Sequence, residues 1–430
     1  MRRVPLLIAA GGSAYLAAMI VLAVTQAPLG TPLFFLCAGV GAGVYAPLVA
    51  TVWRGADARR DTFVLAILFA IGFRVPLAVP PVNNDNDMVR YLWDGRVQKL
   101  GINPYAVTPG DPALAFTHTD ETRDMPSARA RTPYPPAAQL FFRFVVTMHD
   151  SARAMKIALV ACDLLTILVL WRWLIGTGRS EWLTLAYAWN PLVVLDVAHS
   201  GHIDALGALW ITAAAFWLSR RRTALGTVAF VLAVATKLLP IVLAPLLWRR
   251  ISIRDAFTGA ALLVLLYLPF ASGTDVLFGV QNVVRHIRFN GPVFRFFAAL
   301  ASPETAARIA VALGLLTAVW CRWRLHADNP AGWAWPMAAA IACAPVIYPW
   351  YLLYFTPFLL VRSTLPLVVW SCSVLLTYVV WEIARNGGRW IVPTGVLAVE
   401  YAAVAAAAAA LAWQMRRKRL TAPAASRSTE

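Results

Sequence analysis

Runs of about twenty consecutive apolar residues recur along the whole of this 430-residue chain, and no other feature limits its fold as strongly. At about 1.5 Å of rise per residue, such a run crosses the roughly 30 Å hydrocarbon core of a bilayer as a helix. Hydrophobic residues make up 60% of the chain and charged residues only 14%, against about a quarter charged in soluble domains. The expected fold is an all-α polytopic membrane protein with about 12–14 transmembrane helices. The spans read near 5–25, 32–53, 62–80, 156–175, 182–198, 203–219, 223–236, 238–249, 256–271, 305–325, 332–347, 350–362, 364–382 and 393–415. Around Thr236-Lys237-Leu238-Leu239-Pro240 the apolar stretch is too short for two full crossings and reads as a broken or re-entrant pair. The first run follows Met1-Arg2-Arg3 as a secretory signal would. However, Pro5 to Val24 is long for one and more spans follow, so it reads as a retained helix.

Charge distribution orients these spans. The net charge is +17, and 34 of the 38 basic residues are arginine. They collect at Arg54/Arg59/Arg60, Arg172/Arg179, Arg220 to Arg222, Arg249/Arg250/Arg254, Arg322/Arg324 and Arg416 to Arg419, while alternate connections such as Gln26 to Thr31 and His199 to Asp204 carry none. That alternation is the positive-inside pattern; it places the basic loops and both termini in the cytoplasm and argues against nucleic acid as a partner. The five cysteines, Cys37, Cys162, Cys321, Cys343 and Cys372, have no metal-site or redox spacing and read as small core residues. One integral-membrane domain is expected over residues 1–419, in the plasma (inner) membrane, with a disordered cytoplasmic tail over 420–430.

The same topology gathers the polar chemistry on the extracytoplasmic side. A loop over 81–155 holds eight of the 21 acidic residues, and a second loop at 272–304, the turn His199–Asp204 and Tyr348-Pro349-Trp350-Tyr351 face the same way. The first loop opens with "NNDNDMVRYLWDGRVQKLGINPY", Asn83 to Tyr105. A helix from Asp87 to Leu100, stopped by Gly101 and Asn103-Pro104-Tyr105, puts Asp87, Arg90, Tyr91 and Asp94 on one face. Asp85 and Asp87 fall at its N-terminus, where the helix dipole favours carboxylates. A carboxylate there can act as general base toward an acceptor hydroxyl, or Asp85-Asn86-Asp87 can offer hard oxygens to a divalent metal. The spacing selects neither, and a capped surface helix with internal ion pairs has the same pattern.

Other groups carry two readings each. In "HSGHID", His199 and His202 lack the further Cys or Glu that a zinc site needs. They suit hydrogen bonds to a phosphate or sugar beside a helix start at Asp204, and a structural histidine–aspartate pair is the plainer alternative. Lys237, one of four lysines, is either a snorkelling anchor or a cation for a lipid phosphate. Arg285, His286, Arg288 and Asn290 in "VVRHIRFNGPVFR" run against the sidedness rule; they suit an anionic headgroup or pyrophosphate, or bulk anionic lipid. Trp350 and Tyr351 belong to an interfacial aromatic belt that would also stack a sugar ring or isoprenoid. Asp163, Asp196, Glu382 and Glu400 lie within or at the ends of spans, where ionisable residues are functional or paired.

Five segments occur in order: "DNDMVRYLWDGRVQKLGINPY", "TPYPPAAQLFF", "WNPLVVLDVAHSGHIDAL", "ATKLLPIVLAPLLW" and "YPWYLLYFTPFLL". Over roughly residues 83 to 362 they resemble the GT-C superfamily of membrane glycosyltransferases, specifically the polyprenyl-phosphate-mannose-using group similar to the bacterial GT87 enzymes and the PIG-M-like mannosyltransferases. The resemblance implies catalysis at the outer membrane face, a donor sugar carried on a polyprenyl phosphate, and a first-loop aspartate as base: Asp87, with Asp85 second. Two features depart from the group. Two spans precede the one leading into the catalytic loop, and Asp196 stands where a glutamate is expected.

The expected activity is transfer of a hexose, mannose first, from a polyprenyl phosphate to a hydroxyl of a cell-envelope glycan or glycolipid, by inverting single displacement. Asp87 takes the proton, and Arg90 and Tyr91 position it. His199, His202, Asp204, Lys237, Arg285, Arg288, Trp350 and Tyr351 hold the phosphate and sugar. A phosphate monoester leaving group needs less charge help than a nucleotide diphosphate, so no cofactor is required and a metal is optional. The alternative is a transporter or flippase of a lipid-linked or anionic substrate, which would place ionisable groups near the bilayer midplane within internal repeats. Clustering at one face, with no evident repeat of halves, favours the enzyme.

Overall fold

The computed structural model describes residues 3–55, 59–80, 86–126, 128–271 and 275–421. It is 76% helical, with no strand among the described residues, so every crossing is helical. Helices α1 (Val4–Thr25), α2 (Pro32–Trp53) and α3 (Arg60–Ala78) lead into the first long loop, which carries α4 (Asn86–Lys99) and α5 (Pro136–Met148). Next come α6 (Ala152–Gly176), a broken stretch ending in the π-helical turn Val194–His199, α7 (Asp204–Ser219), α8 (Thr223–Thr236) and a 3-10 run over Leu239–Leu247. After α9 (Ile253–Phe270), the second loop folds into α10 (Phe278–His286) and α11 (Pro292–Leu300). The chain continues through α12 (Pro303–Arg324), α13 (Ala331–Ala342), the 3-10 turns Pro349–Tyr354 and Thr356–Phe358, α14 (Arg362–Arg385) and α15 (Thr394–Arg417).

Eight of these helices, α1, α2, α3, α6, α9, α12, α14 and α15, are long and apolar enough to cross a membrane. The other expected spans, between 182 and 362, are shorter helices or 3-10 pieces. Pro191, Pro240 and Pro349 each stand at or next to the start of such a piece, where the missing N–H does no harm. Much of this broken backbone is packed inside the protein, which is the condition under which irregular chain survives at membrane depth. The final helix extends to Thr421, past the expected start of the tail, and residues 422–430 lie outside the described residues.

The four acidic residues singled out within or at the ends of spans each have a partner. Arg74 of α3 binds Asp163 of α6 and donates to the carbonyls of Ala70 and Ala188, all buried. Tyr378 donates to Asp196, and Glu382 pairs with Arg385 at 2.5 Å. Glu400 accepts from Asn290 and from Trp370.

Arg322 Nε donates to the Trp248 carbonyl and Arg362 Nε to the Trp53 carbonyl, each at 3.0 Å, which joins basic connections to neighbouring span ends in two places. The first and second long loops also meet. Asn103 Nδ2 donates to the Phe270 carbonyl at 3.1 Å, and Gly279 of α10 lies so close to the Thr132 carbonyl that a Cβ has no room. Inside the first loop, α4 packs on α5 through Tyr91 stacked on Phe142, with ring centroids 4.5 Å apart. Asp94 is fully buried: Oδ1 accepts from Arg90 Nε (2.7 Å), and Oδ2 accepts from Thr132 Oγ1 (2.7 Å) and Gln139 Nε2 (2.8 Å).

Candidate active site

Asp87 stands in the first turn of α4, one turn before the buried Asp94 network begins at Arg90. Its Oδ2 lies 3.6 Å from His202 Nδ1, ion-pair range rather than a close hydrogen bond; the Asp87 side chain is 31% exposed and His202 only 1%. Burial pushes the Asp87 carboxyl up, but His202, Lys237 and the Tyr134 hydroxyl favour the ionised form more. The group is therefore held below the usual carboxylate range. Burial first, and then the charge of Asp87, push the Tyr91 and Tyr134 phenols well above their ordinary value, so both remain O–H donors.

The turn after the π-helical run delivers His202. Gly201 and His202 N–H groups both donate to the Asp196 carbonyl at 3.1 Å. Gly201 has φ +78°, a conformation that glycine adopts without steric cost, and Met88 of α4 occupies the space a side chain would need. Tyr91 Oη accepts from the Ile203 N–H at 3.3 Å, tying α4 to the start of α7. The His202 ring stacks on Trp350 at 3.9 Å and 12°, and Trp350 stacks on Tyr348 at 4.5 Å and 10°. Such aromatic pairs contribute about 0.5–1.5 kcal/mol beyond area burial.

Lys237 occupies the break after α8. Its Nζ donates to Asp204 Oδ1 at 2.6 Å and lies 3.7 Å from the centre of the Tyr351 ring. Asp204 is 1% exposed, and a carboxylate that deep requires such a partner. Asp87, Tyr91, His202, Asp204, Lys237, Trp350 and Tyr351 therefore converge, although their positions in the chain span more than 260 residues.

The remaining expected residues lie elsewhere. Asp85 is outside the described residues. The Arg90 guanidinium faces Asp94 and the Ala130 carbonyl rather than Asp87. The His199 ring packs against Phe34. Arg285 pairs with Glu304 at 3.4 Å on the exposed edge of the second loop. Arg288 donates to the carbonyls of Val284, Arg285 and Ile287, closing the C-terminal end of α10. It also lines a cavity of about 190 Å³ with Asn290, Arg295 and Trp390. Tyr134 and Tyr348 were not assigned roles from sequence, although both lie in the quoted segments; membership of those segments was the available signal. Among the described residues, no group of three or more His, Cys, Asp or Glu side chains is placed to hold a metal ion.

A multi-pass helical membrane protein whose carboxylate, histidine and lysine meet beside an aromatic wall has the layout of a membrane enzyme. Residues 7–251, more than half of the chain, match the MptA_B family, described as alpha-(1->6)-mannopyranosyltransferase, N-terminal domain, and the chain belongs to that family. It is a membrane mannosyltransferase of the GT-C type, with a sugar donor, an acceptor and the bilayer as partners. The matched stretch includes Asp87, His202, Asp204 and Lys237, and stops before the second loop and Trp350. No curated protein and no solved structure matches the chain.

Proposed function

We propose that this mannosyltransferase takes mannose from a polyprenyl phosphate and transfers it, at the extracytoplasmic face of the plasma membrane, to a hydroxyl of a cell-envelope glycan or glycolipid. Asp87 is the base. The acceptor oxygen bonds to the anomeric carbon, the bond from that carbon to the phosphate oxygen breaks, and its electron pair leaves on the phosphate. The acceptor proton passes to Asp87. A carboxylate held low is ionised at neutral pH and takes the proton late, once bonding to carbon has made the acceptor oxygen acidic. His202 and Lys237, with Tyr91 and Tyr134, fix that carboxylate. Arg288, whose hydrogen bonds go to backbone carbonyls, offsets the charge left on the phosphate. Trp350 and Tyr351 pack against the sugar or the isoprenoid. If the product is α-(1→6)-linked, as the family description has it, inversion requires a β-linked donor. No metal takes part in this scheme.

The observation that supports the reading best is the partly exposed Asp87 carboxylate facing His202 beside the Lys237–Asp204 pair. The test is transfer of radiolabelled mannose from polyprenyl-phosphate mannose to a membrane-lipid extract, by the protein in detergent, for wild type and Asp87→Asn, with and without EDTA. Transfer that EDTA leaves intact and Asp87→Asn abolishes, with donor still bound, is the expected result. Undiminished transfer by Asp87→Asn sinks the base assignment and turns attention to Asp85. Loss of transfer in EDTA sinks the metal-free scheme. A wild type that neither binds nor transfers the donor sinks the choice of polyprenyl phosphate and favours another carrier, or a transporter.

A further inference from the structure

Resting on that reading, the structure divides the cations of the site into two sets with different surroundings. Lys237 is committed to Asp204 at 2.6 Å, and Asp87 lies close enough for Lys237 to lower its carboxyl. Two carboxylates beside one ammonium are poor surroundings for a phosphate. The second set is different. Arg288 and Arg295 both line the 190 Å³ cavity, and among the described residues neither pairs with a carboxylate. All the hydrogen bonds of Arg288 go to backbone carbonyls, which leave its charge unbalanced.

Asn290 makes this cavity more than a basic patch. It is 2% exposed and lines the same space. Its backbone φ of +51° is left-handed, a conformation that asparagine adopts more readily than most residues. Asn290 Nδ2 donates to both oxygens of the buried Glu400 at 3.1 Å, and the Tyr401 hydroxyl donates to its carbonyl at 2.8 Å. Glu400 thus takes the Nδ2 end of the amide. The other end, Oδ1, is buried and accepts no hydrogen bond among the described residues. An unsatisfied buried acceptor in a cavity calls for a hydroxyl. Trp390, 40% exposed, adds an aromatic wall, exposed Ile391 lines the cavity beside it, and the exposed apolar residues Ile287 and Phe296 are next in sequence to lining residues. The Phe289 ring, next in sequence to Arg288, lies 4.5 Å from Tyr348, the end of the stack that reaches His202 and Asp87.

We infer that this cavity binds the headgroup of a hydroxyl-bearing phosphodiester lipid: Arg288 and Arg295 take the phosphate, Asn290 Oδ1 accepts from a hydroxyl, and Trp390 packs against the ring or the start of the chain. Glu400 is a positioning residue, acting through Asn290. The volume suits a headgroup, since pockets that bury whole drug-sized ligands run to about 300–1,000 Å³. Two lipids share this chemistry: a polyprenyl phosphate carrying a sugar, and a phospholipid with a polyol headgroup.

The test is equilibrium binding to the full chain in phosphatidylcholine nanodiscs of radiolabelled polyprenyl-phosphate mannose, polyprenyl phosphate, phosphatidylinositol and inorganic phosphate. Arg295 is exposed, so Arg295→Gln leaves folding intact; it is expected to weaken binding about tenfold, the scale of one lost charge-assisted contact. Asn290→Gly keeps the backbone conformation and is expected to weaken the sugar-bearing lipid while sparing bare polyprenyl phosphate. Loss confined to polyprenyl-phosphate mannose assigns the cavity to the donor; loss confined to phosphatidylinositol assigns it to a second lipid. Unchanged binding of all four probes in Arg295→Gln overturns the site, and so does binding of inorganic phosphate as tight as that of the lipids. Failure of the wider reading looks different: there Asp87→Asn would still transfer mannose, whatever Arg295→Gln does to binding.

Discussion

Asp87 and Asp94 lie two turns apart on one helix, in one stretch of sequence, yet their surroundings are opposite. Asp94 is wholly buried, and both oxygens are engaged by Arg90, Thr132 and Gln139. A carboxylate bound in this way is a structural brace; it has no room to meet a substrate. Asp87 is about a third exposed, with His202 Nδ1 at 3.6 Å. His202, through hydrogen bonding and charge, with Lys237 and the Tyr134 hydroxyl, holds it ionised and still reachable. A working carboxylate is thus distinguished by how completely its oxygens are engaged, and not by its residue type or its position on a helix face.

That contrast breaks most directly at Asp87. Asp87→Asn is expected to lower mannose transfer by about 10²–10⁴-fold, the usual worth of a positioned acid or base, with an unchanged thermal midpoint in detergent. Asp94→Ala is expected to do the reverse. It strands the Arg90 guanidinium, which is 3% exposed, and destabilises the protein by about 3–5 kcal/mol, read as a lower thermal midpoint, while folded molecules retain their rate. A large loss of rate per folded molecule in Asp94→Ala would erase the distinction between the two.

The pH profile sharpens the comparison. The Asp87 carboxyl is depressed, so its basic form is present above the folded-state value and is lost only as pH falls through that value. An acid limb from this group therefore lies below about pH 4, the ordinary carboxylate value. In His202→Gln the lowering contribution of His202 is gone while burial remains, and the limb moves upward. A rate-versus-pH curve for the variant that overlays wild type would show that His202 does not govern Asp87. The smallest effect is expected at Arg285, exposed and paired with exposed Glu304: Arg285→Gln should leave the thermal midpoint unchanged and alter transfer less than Arg295→Gln alters lipid binding.

The helical membrane fold was legible because about twenty apolar residues in a row permit little else. The grouping of the polar loops followed from the arginine alternation, and the packing of α10 against Thr132 agrees with it. The number of full crossings was less legible, since hydropathy does not tell a spanning helix from a short one packed against protein; Leu239–Leu247 is as apolar as a span and folds as a 3-10 run. At the site, residue type nominated Asp87, Tyr91, His202, Asp204, Lys237, Trp350 and Tyr351, and these do meet. It also nominated Arg90 and Arg285, whose partners, Asp94 and Glu304, lie within the loops themselves.

What the sequence by itself determined is the helical membrane fold and the set of chemistries available, because length, hydropathy and residue type act locally and add along the chain. Only the tertiary structure decided which carboxylate is spent on packing, that Lys237 reaches Asp204, and that Arg295, Asn290 and Trp390 share a cavity with Arg288. Those facts depend on side chains from distant segments meeting within a few ångströms, and no pattern along the chain records that distance.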